Sequence, residues 1–216
     1  MVTRVWRRAV NAFWEMRLGI ATRGRYHPDF SGDDNIYYGT QSYDETIQVL
    51  KQLRLGREDV FVDLGCGKGR VICLASRFAL GGVIGVELSS ELCQIARRNA
   101  QMMRGKRTDI LVHNINAEDF DYTVGTVFYL FHPFGPRTMQ NVLERMSDGL
   151  NRNPRQIRIV YSGPVHEDLF SRVGWLERYS RWTKHSHRFV HEIVSFWRSK
   201  DTRDNNITAY QEGTRT

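Results

Sequence analysis

Residues 59–76, DVFVDLGCGKGRVICLAS, join a β-rich run ending near Asp63 to an apolar helical run, with Gly65, Gly67 and Gly69 at alternate positions between them. Glycines so placed let the backbone turn tightly and lie against a ligand at the carboxyl end of a strand, which is the plan of a nucleotide-type site. A dinucleotide fingerprint starting at Gly65 requires glycine or alanine at position 70, where Arg70 stands, and the phosphate-binding GxxxxGK[ST] pattern fails at Val62 and Gly69. Both pyrophosphate readings weaken. The next β-rich run carries Glu87 near its end, where a carboxylate can accept hydrogen bonds from both hydroxyls of a ribose. An adenosine ligand without phosphates fits these residues better.

A second group of interest is His132-Pro133-Phe134, which follows an apolar β-rich run. Imidazole titrates near neutrality, so His132 is the leading candidate for a general base, and Pro133 biases the preceding backbone toward an extended conformation. His185, His187 and His191 could ligate a metal, but with no cysteine nearby they read as a solvated turn, and no metal is expected. Cys66, Cys73 and Cys93 are too few for complete pairing and form no CxxC motif, which favours small buried thiols in a reducing cytoplasm.

These residues must be positioned by a regular framework. Beta-rich runs at 59–64, 82–88, 109–114 and 126–131 alternate with helical runs at 69–80 and 90–103, and a further helix begins at Pro136 with Met139, Val142, Leu143 and Met146 on one face. Such alternation implies a mostly parallel sheet covered on both faces. After a strand at 157–162 and a short helix at 167–173, two strands at 175–183 and 192–197 follow with no helix between them, so they must pair antiparallel. Upstream, Ser42 and Glu45 form a capping box for a short helix presenting Ile47, Val49, Leu50 and Leu53.

The opening residues 3–20 place Trp6, Val10, Phe13, Trp14 and Leu18 at helical spacing among arginines. This basic amphipathic helix is expected to pack on its own domain; the competing reading is contact with an anionic partner, RNA or a membrane surface. Arginines crowd both ends of the chain, which carries a formal net charge of +7. With 41% hydrophobic residues over 216 positions the chain can bury a core, which excludes a disordered or fibrous protein, and no apolar run approaches the length of a membrane span. Charges at Arg7, Arg8, Glu15 and Arg17 interrupt any secretory apolar segment. The organisation reads as a basic helix and loop over 1–36, one α/β domain over 37–199 and a polar tail over 200–216.

The run DLGCGKG followed by GVEL resembles the cofactor site of the class I S-adenosylmethionine-dependent methyltransferases, and the resemblance extends over roughly residues 37–197. It implies a Rossmann-like, seven-stranded, mostly parallel sheet of order 3-2-1-4-5-7-6 with one antiparallel strand and helices on both faces. It further implies that Asp63 organises the methionine amino group, directly or through water, that Gly65, Gly67 and Gly69 lie against the methionine and ribose, and that Glu87 holds the ribose. Asn116-Ala117 stands where the family commonly has an Asp-Ala pair for adenine, with Glu118 and Asp119 as neighbouring alternatives.

Tyr38-Gly39-Thr40 resembles the loop that closes the cofactor pocket in the non-SET histone lysine methyltransferases, which would make Tyr38 and Thr40 cofactor-binding. His132-Pro133-Phe134 resembles, imperfectly, the [NDS]PP[YFW] motif that orients a target nitrogen. The resemblance thus implies methyl transfer from S-adenosylmethionine to an acceptor, foremost a protein amine such as lysine. The alternatives are a small-molecule or RNA acceptor, or a non-catalytic nucleic-acid-binding module on the same fold; a nicotinamide-dependent oxidoreductase is disfavoured by Arg70.

Overall fold

The computed structural model describes residues 2–24, 39–183 and 193–200. Helix α1 (Val2–Leu18) is followed by α2 (Tyr43–Gln52), whose capping box is formed as the sequence requires: Glu45 N donates to Ser42 Oγ, and Ser42 N to the Glu45 carboxylate. The body then alternates β1 (Val60–Leu64), α3 (Arg70–Ala75), β2 (Gly82–Glu87), α4 (Ser90–Met102), β3 (Ile110–Asn114), β4 (Val127–Phe131), α5 (Pro136–Arg152), β5 (Arg158–Ser162), α6 (Glu167–Arg172), β6 (Leu176–Thr183) and β7 (Ile193–Ser199).

The strands form a 7-stranded sheet of order β3-β2-β1-β4-β5-β7-β6. Strands β1 to β5 pair in parallel, while β7 runs antiparallel to both β5 and β6. The expected order and the antiparallel closing pair are both present. Parallel pairing aligns the carboxyl ends of β1, β2, β4 and β5 along one edge, the edge on which a ligand of this architecture sits.

Period-two alternation along β1 sends its residues into two different cores. Phe61 joins Tyr43, Leu50, Ile72, Tyr129 and Phe196 on one face, whereas Val62 and Leu64 join Phe128, Met139, Val142, Leu143 and Met146 under α5 on the other. At the amino edge, Asp59 accepts from Arg158 Nη2 at 2.5 Å and from Thr126 Oγ1 at 3.1 Å, tying the entries of β1, β4 and β5 together. Burial would raise the Asp59 carboxyl, but the Arg158 bond and the Gly56 amide outweigh it and hold it below its ordinary value.

Two expectations need correction, and one basic cluster finds partners. The helix expected over 69–80 ends at Ala75, because the Ser76 carbonyl accepts from Arg107 N (2.8 Å) and Thr108 N (3.1 Å) and Leu80 N donates to Thr108 Oγ1, drawing the chain across to the start of β3. In α1, Leu18 is buried and Trp14 packs on the core, but Phe13 is 51% exposed and Glu15 is turned inward. The arginines of the C-terminal third are largely consumed internally. Arg178 and Arg181 pair with Glu167, Arg198 with Glu177, and Arg155 donates to the carbonyls of Tyr122, Gly125 and Asn153.

Candidate active site

The loop after β1 turns through three left-handed glycines, Gly65 (φ 75°), Gly67 (φ 54°) and Gly69 (φ 83°), a conformation that costs a residue with a Cβ about 1–2 kcal/mol. Gly65 is constrained twice, since a Cβ there would stand 2.6 Å from Cβ of Pro133. The loop is fastened to the end of β2: Gly65 N and Cys66 N both donate to the Val86 carbonyl at 2.9 and 3.0 Å. The Glu87 carboxylate completes the clasp, with Oε2 accepting from Gly67 N and Oε1 from Ser89 N, each at 2.9 Å. The Leu88 amide also acts on this carboxylate, which as an ion can take about four hydrogen bonds and so keeps acceptor capacity to spare.

Asp63 lies beside this clasp and is 3% exposed. No group among the described residues donates a hydrogen bond to its side chain. Burial, and secondarily the nearby Glu87, pushes its carboxyl well above the ordinary range. Glu87 is itself raised by burial, against the pull of its amide donors. Two buried carboxylates with acceptor positions to spare are costly unless a donor or a cation joins them. An ammonium and a ribose diol supply those groups, so the residues present fit S-adenosylmethionine. Cys66, between the two acids in sequence, is no nucleophile: burial first, then Asp63 and Glu87, drive its thiol well above the usual value.

At the end of β3, Asn116 caps a short 3-10 turn, Ala117–Asp119, accepting from Glu118 N at 3.1 Å and donating to the Glu118 carboxylate at 3.3 Å. Glu118 is held further by Asn141 Nδ2, Ala117 is buried and Asp119 is exposed. Asn114, which sequence reasoning passed over, staples this region to β2 by donating to the carbonyls of Glu87 and Leu88.

His132 sits where β4 leaves the sheet, with φ 42°. The expected extended backbone is therefore wrong. The preference imposed by Pro133 is local, and it yields to the need to seat Pro133 against Gly65 and Phe134 in the core under α5, where it is 6% exposed. The His132 ring faces His166 with centroids 5.6 Å apart. His166 precedes α6 and its N–H donates to the Tyr161 hydroxyl at 3.3 Å. Nothing in the sequence pattern singled it out.

Tyr38 lies outside the described residues, as do His185, His187 and His191. Thr40 is exposed, and Gly39 stands close to the Phe131 ring, so this loop borders the end of β4. Next to it, Gln41 is buried: it donates to Ser162 Oγ at 2.9 Å and accepts from the Tyr129 hydroxyl, bridging β4 and β5. Its carbonyl accepts from Arg70 Nη1 at 2.6 Å. Arg70 also donates to Thr22 Oγ1 at 2.9 Å and lies 4.2 Å over the Tyr43 ring. Sequence reasoning used Arg70 only to exclude a dinucleotide; a lone Glu15 among the arginines of α1 was the signal that a buried cation awaited it.

Sheet order, glycine loop and strand-end glutamate are those of the class I S-adenosylmethionine-dependent methyltransferase fold. Residues 23–124 match the family model of the histone methylation protein DOT1. A histone-lysine N-methyltransferase, H3 lysine-79 specific, of Drosophila melanogaster is 32% identical over 126 residues, covering 51% of this chain and 7% of that protein. Its counterpart from Caenorhabditis elegans is 34% identical over 77 residues, covering 35% of this chain and 8% of the relative. The chain thus spans less than a tenth of the length of either. Among solved structures, an RNA methyltransferase from Salinibacter ruber in complex with S-adenosyl-L-homocysteine superposes with a TM-score of 0.56 at 18% identity, covering 76% of this chain and 95% of that one, a likeness of fold.

Proposed function

We propose that the chain transfers the methyl group of S-adenosylmethionine to an amine nitrogen of a protein, in the form of a lysine side chain. The observation that carries this reading is Asp63, a buried carboxylate with no donor among the described residues, set beside a buried Glu87 that keeps acceptor capacity to spare. Asp63 would take the methionine ammonium and Glu87 the ribose diol. Gly65, Gly67 and Gly69, which carry no side chain, let the backbone of the turn approach them closely. Asn116 and Ala117 would border the adenine, and Tyr38 and Thr40 the open side.

The cofactor, when bound, supplies an electrophilic methyl on a sulfonium. The chain's own task is orientation in line with the acceptor lone pair, which can remove much of the barrier without a nucleophilic residue. A lysine must reach the methyl as the neutral amine, so His132 would hold the departing proton on its imidazole while Pro133 and Phe134 fix where that ring stands. The lysine acceptor is supported by the DOT1 match over 23–124 and by the acceptor named for the Drosophila relative.

The test is incubation of the full chain with methyl-tritiated S-adenosylmethionine and fractionated lysate, followed by acid hydrolysis of labelled protein. Label eluting as methyl-lysine supports the reading. Label confined to RNA or to small molecules overturns the lysine acceptor, and absence of heat on titration with S-adenosylmethionine overturns the cofactor assignment.

A further inference from the structure

Helix α1 carries one acid, and that acid faces inward. Glu15 is 6% exposed, with its carboxylate engaged by Thr22 N, Thr22 Oγ1 and Arg23 Nε. The outer side of the helix is therefore left without negative charge among its described side chains. What it presents instead is Ala9, Phe13 and Met16, all exposed and spaced four and three residues apart, with Met16 72% exposed. The same rhythm continues upstream in the sequence through Trp6 and Val2. Arg8 and Arg17 are exposed on the same helix.

The surface extends beyond α1. Arg104 N donates to the Leu18 carbonyl at 2.8 Å, and the Arg104 Cγ and Nε stand 3.5 Å from where a side chain on Gly19 would begin. Met102, the last residue of α4, is 53% exposed there, and Gly19 abuts its carbonyl. The nearby Lys106 is paired with Asp109, and Asp44 of α2, on the inner flank, accepts from the Trp14 indole. The region thus exposes three large apolar groups, Phe13, Met16 and Met102, together with Arg8, Arg17 and Arg104.

We propose that this surface binds in the plane of an anionic lipid bilayer, with Phe13, Met16 and Met102 entering the boundary between headgroups and acyl chains and the arginines meeting lipid phosphates. Cationic residues flanking an apolar stripe match the two components of interfacial helix binding. A second copy of this chain fits worse, since its helix would set arginine against arginine, and the one acid of that helix, Glu15, is buried. Nucleic acid would use the arginines through its phosphates but would leave much of the apolar stripe of Phe13, Met16 and Met102 in water. Among the described residues no helix is long and apolar enough to cross a membrane, so contact is peripheral.

The test is sedimentation of the full chain with vesicles of phosphatidylcholine, with and without phosphatidylglycerol. Binding is expected only with phosphatidylglycerol and should weaken as salt rises. The double variant Phe13→Asp/Met16→Asp should reduce partitioning by roughly tenfold or more at an unchanged melting temperature. Arg17→Glu/Arg104→Glu should do the same, giving a second readout should the first variant misfold. The proposal fails if the wild type ignores anionic vesicles at low salt, or if the aspartate variant binds as well as the wild type. It also fails if the chain sediments as a dimer that Met16→Asp dissociates while vesicles go unbound.

Discussion

Glu15 and Arg70 meet in the interior at 3.9 Å, each less than a tenth exposed, joining the first helix of the chain to the residue that follows the glycine loop. The pair does not stand alone. Glu15 is shared with Thr22 and Arg23, Arg70 with Thr22, Gln41 and Tyr43, and Asn99 and Lys68 pin the intervening segment through the carbonyls of Ala21 and Arg23. Helix α1 is in this way a wall of the site region.

Arg70→Ala should therefore destabilise the fold by about 3–5 kcal/mol, the usual cost of stripping one partner from a buried charge cluster. At this chain length that lowers the melting temperature by roughly 6–20 °C, measurable by calorimetry. Amide exchange should also speed up in α1 and residues 20–24. Exchange that stays protected there would mean the helix is held by Leu18 and Ile20 alone.

Asp63 is expected to stabilise the cofactor complex at the expense of the free protein. Its carboxyl is raised above its unfolded value, so the folded state holds the proton more tightly, and stability falls as pH rises from the unfolded value through the folded one. Asp63→Asn should consequently raise the melting temperature of the ligand-free protein at neutral pH, with the gain vanishing toward the acid side of the unfolded carboxylate range. The same variant should lose cofactor affinity by at least tenfold. A melting temperature insensitive to this substitution at all pH values would refute the buried-charge account.

Glu87 separates two duties that one substitution can resolve. Glu87→Ala removes the acceptors for Gly67 N and Ser89 N along with the proposed ribose contacts, and should cost cofactor affinity tenfold or more, at about 1.5–3 kcal/mol for each bond to a charged acceptor. Glu87→Gln keeps one acceptor oxygen and should fall between the two in titration calorimetry. Unchanged affinity in a folded alanine variant speaks against the ribose assignment.

His132 holds a left-handed backbone at φ 42°, which glycine adopts freely. His132→Gly should thus be neutral or stabilising by up to about 1 kcal/mol, whereas His132→Ala should not gain. If the imidazole positions or deprotonates the acceptor, both variants should lose turnover by roughly a hundredfold with cofactor affinity little changed. Near-native turnover in His132→Ala would reduce the histidine to a piece of pocket wall.

Asp59 offers a pH test far from the site. Its carboxyl is held low, so the bond to Arg158 contributes stability that is present above the ordinary carboxylate range and lost as pH falls through the depressed value. Asp59→Asn should cost about 3 kcal/mol at neutral pH and progressively less in acid, as read from urea midpoints across pH.

Much of the frame was legible in the sequence because it depends on periodicity and on short motifs. Alternating β-rich and helical runs gave the sheet, the closing strands with no helix between them gave the antiparallel pair, and Asp63, Gly65, Gly67, Gly69 and Glu87 fall on one strand–loop–helix–strand segment, so their spacing alone placed them together. What failed were local preferences opposed by distant partners. Residues 76–80 leave the helix because Arg107 and Thr108 capture the Ser76 carbonyl. His132 turns left-handed because Pro133 must fit against Gly65. Arg70, Gln41 and Glu15 are buried polar groups whose partners among the described residues include Thr22, Tyr43, Tyr129 and Ser162, brought together by the fold. A buried polar side chain is tolerated when its partners arrive with the fold, so its place is decided by tertiary contacts that no spacing rule contains.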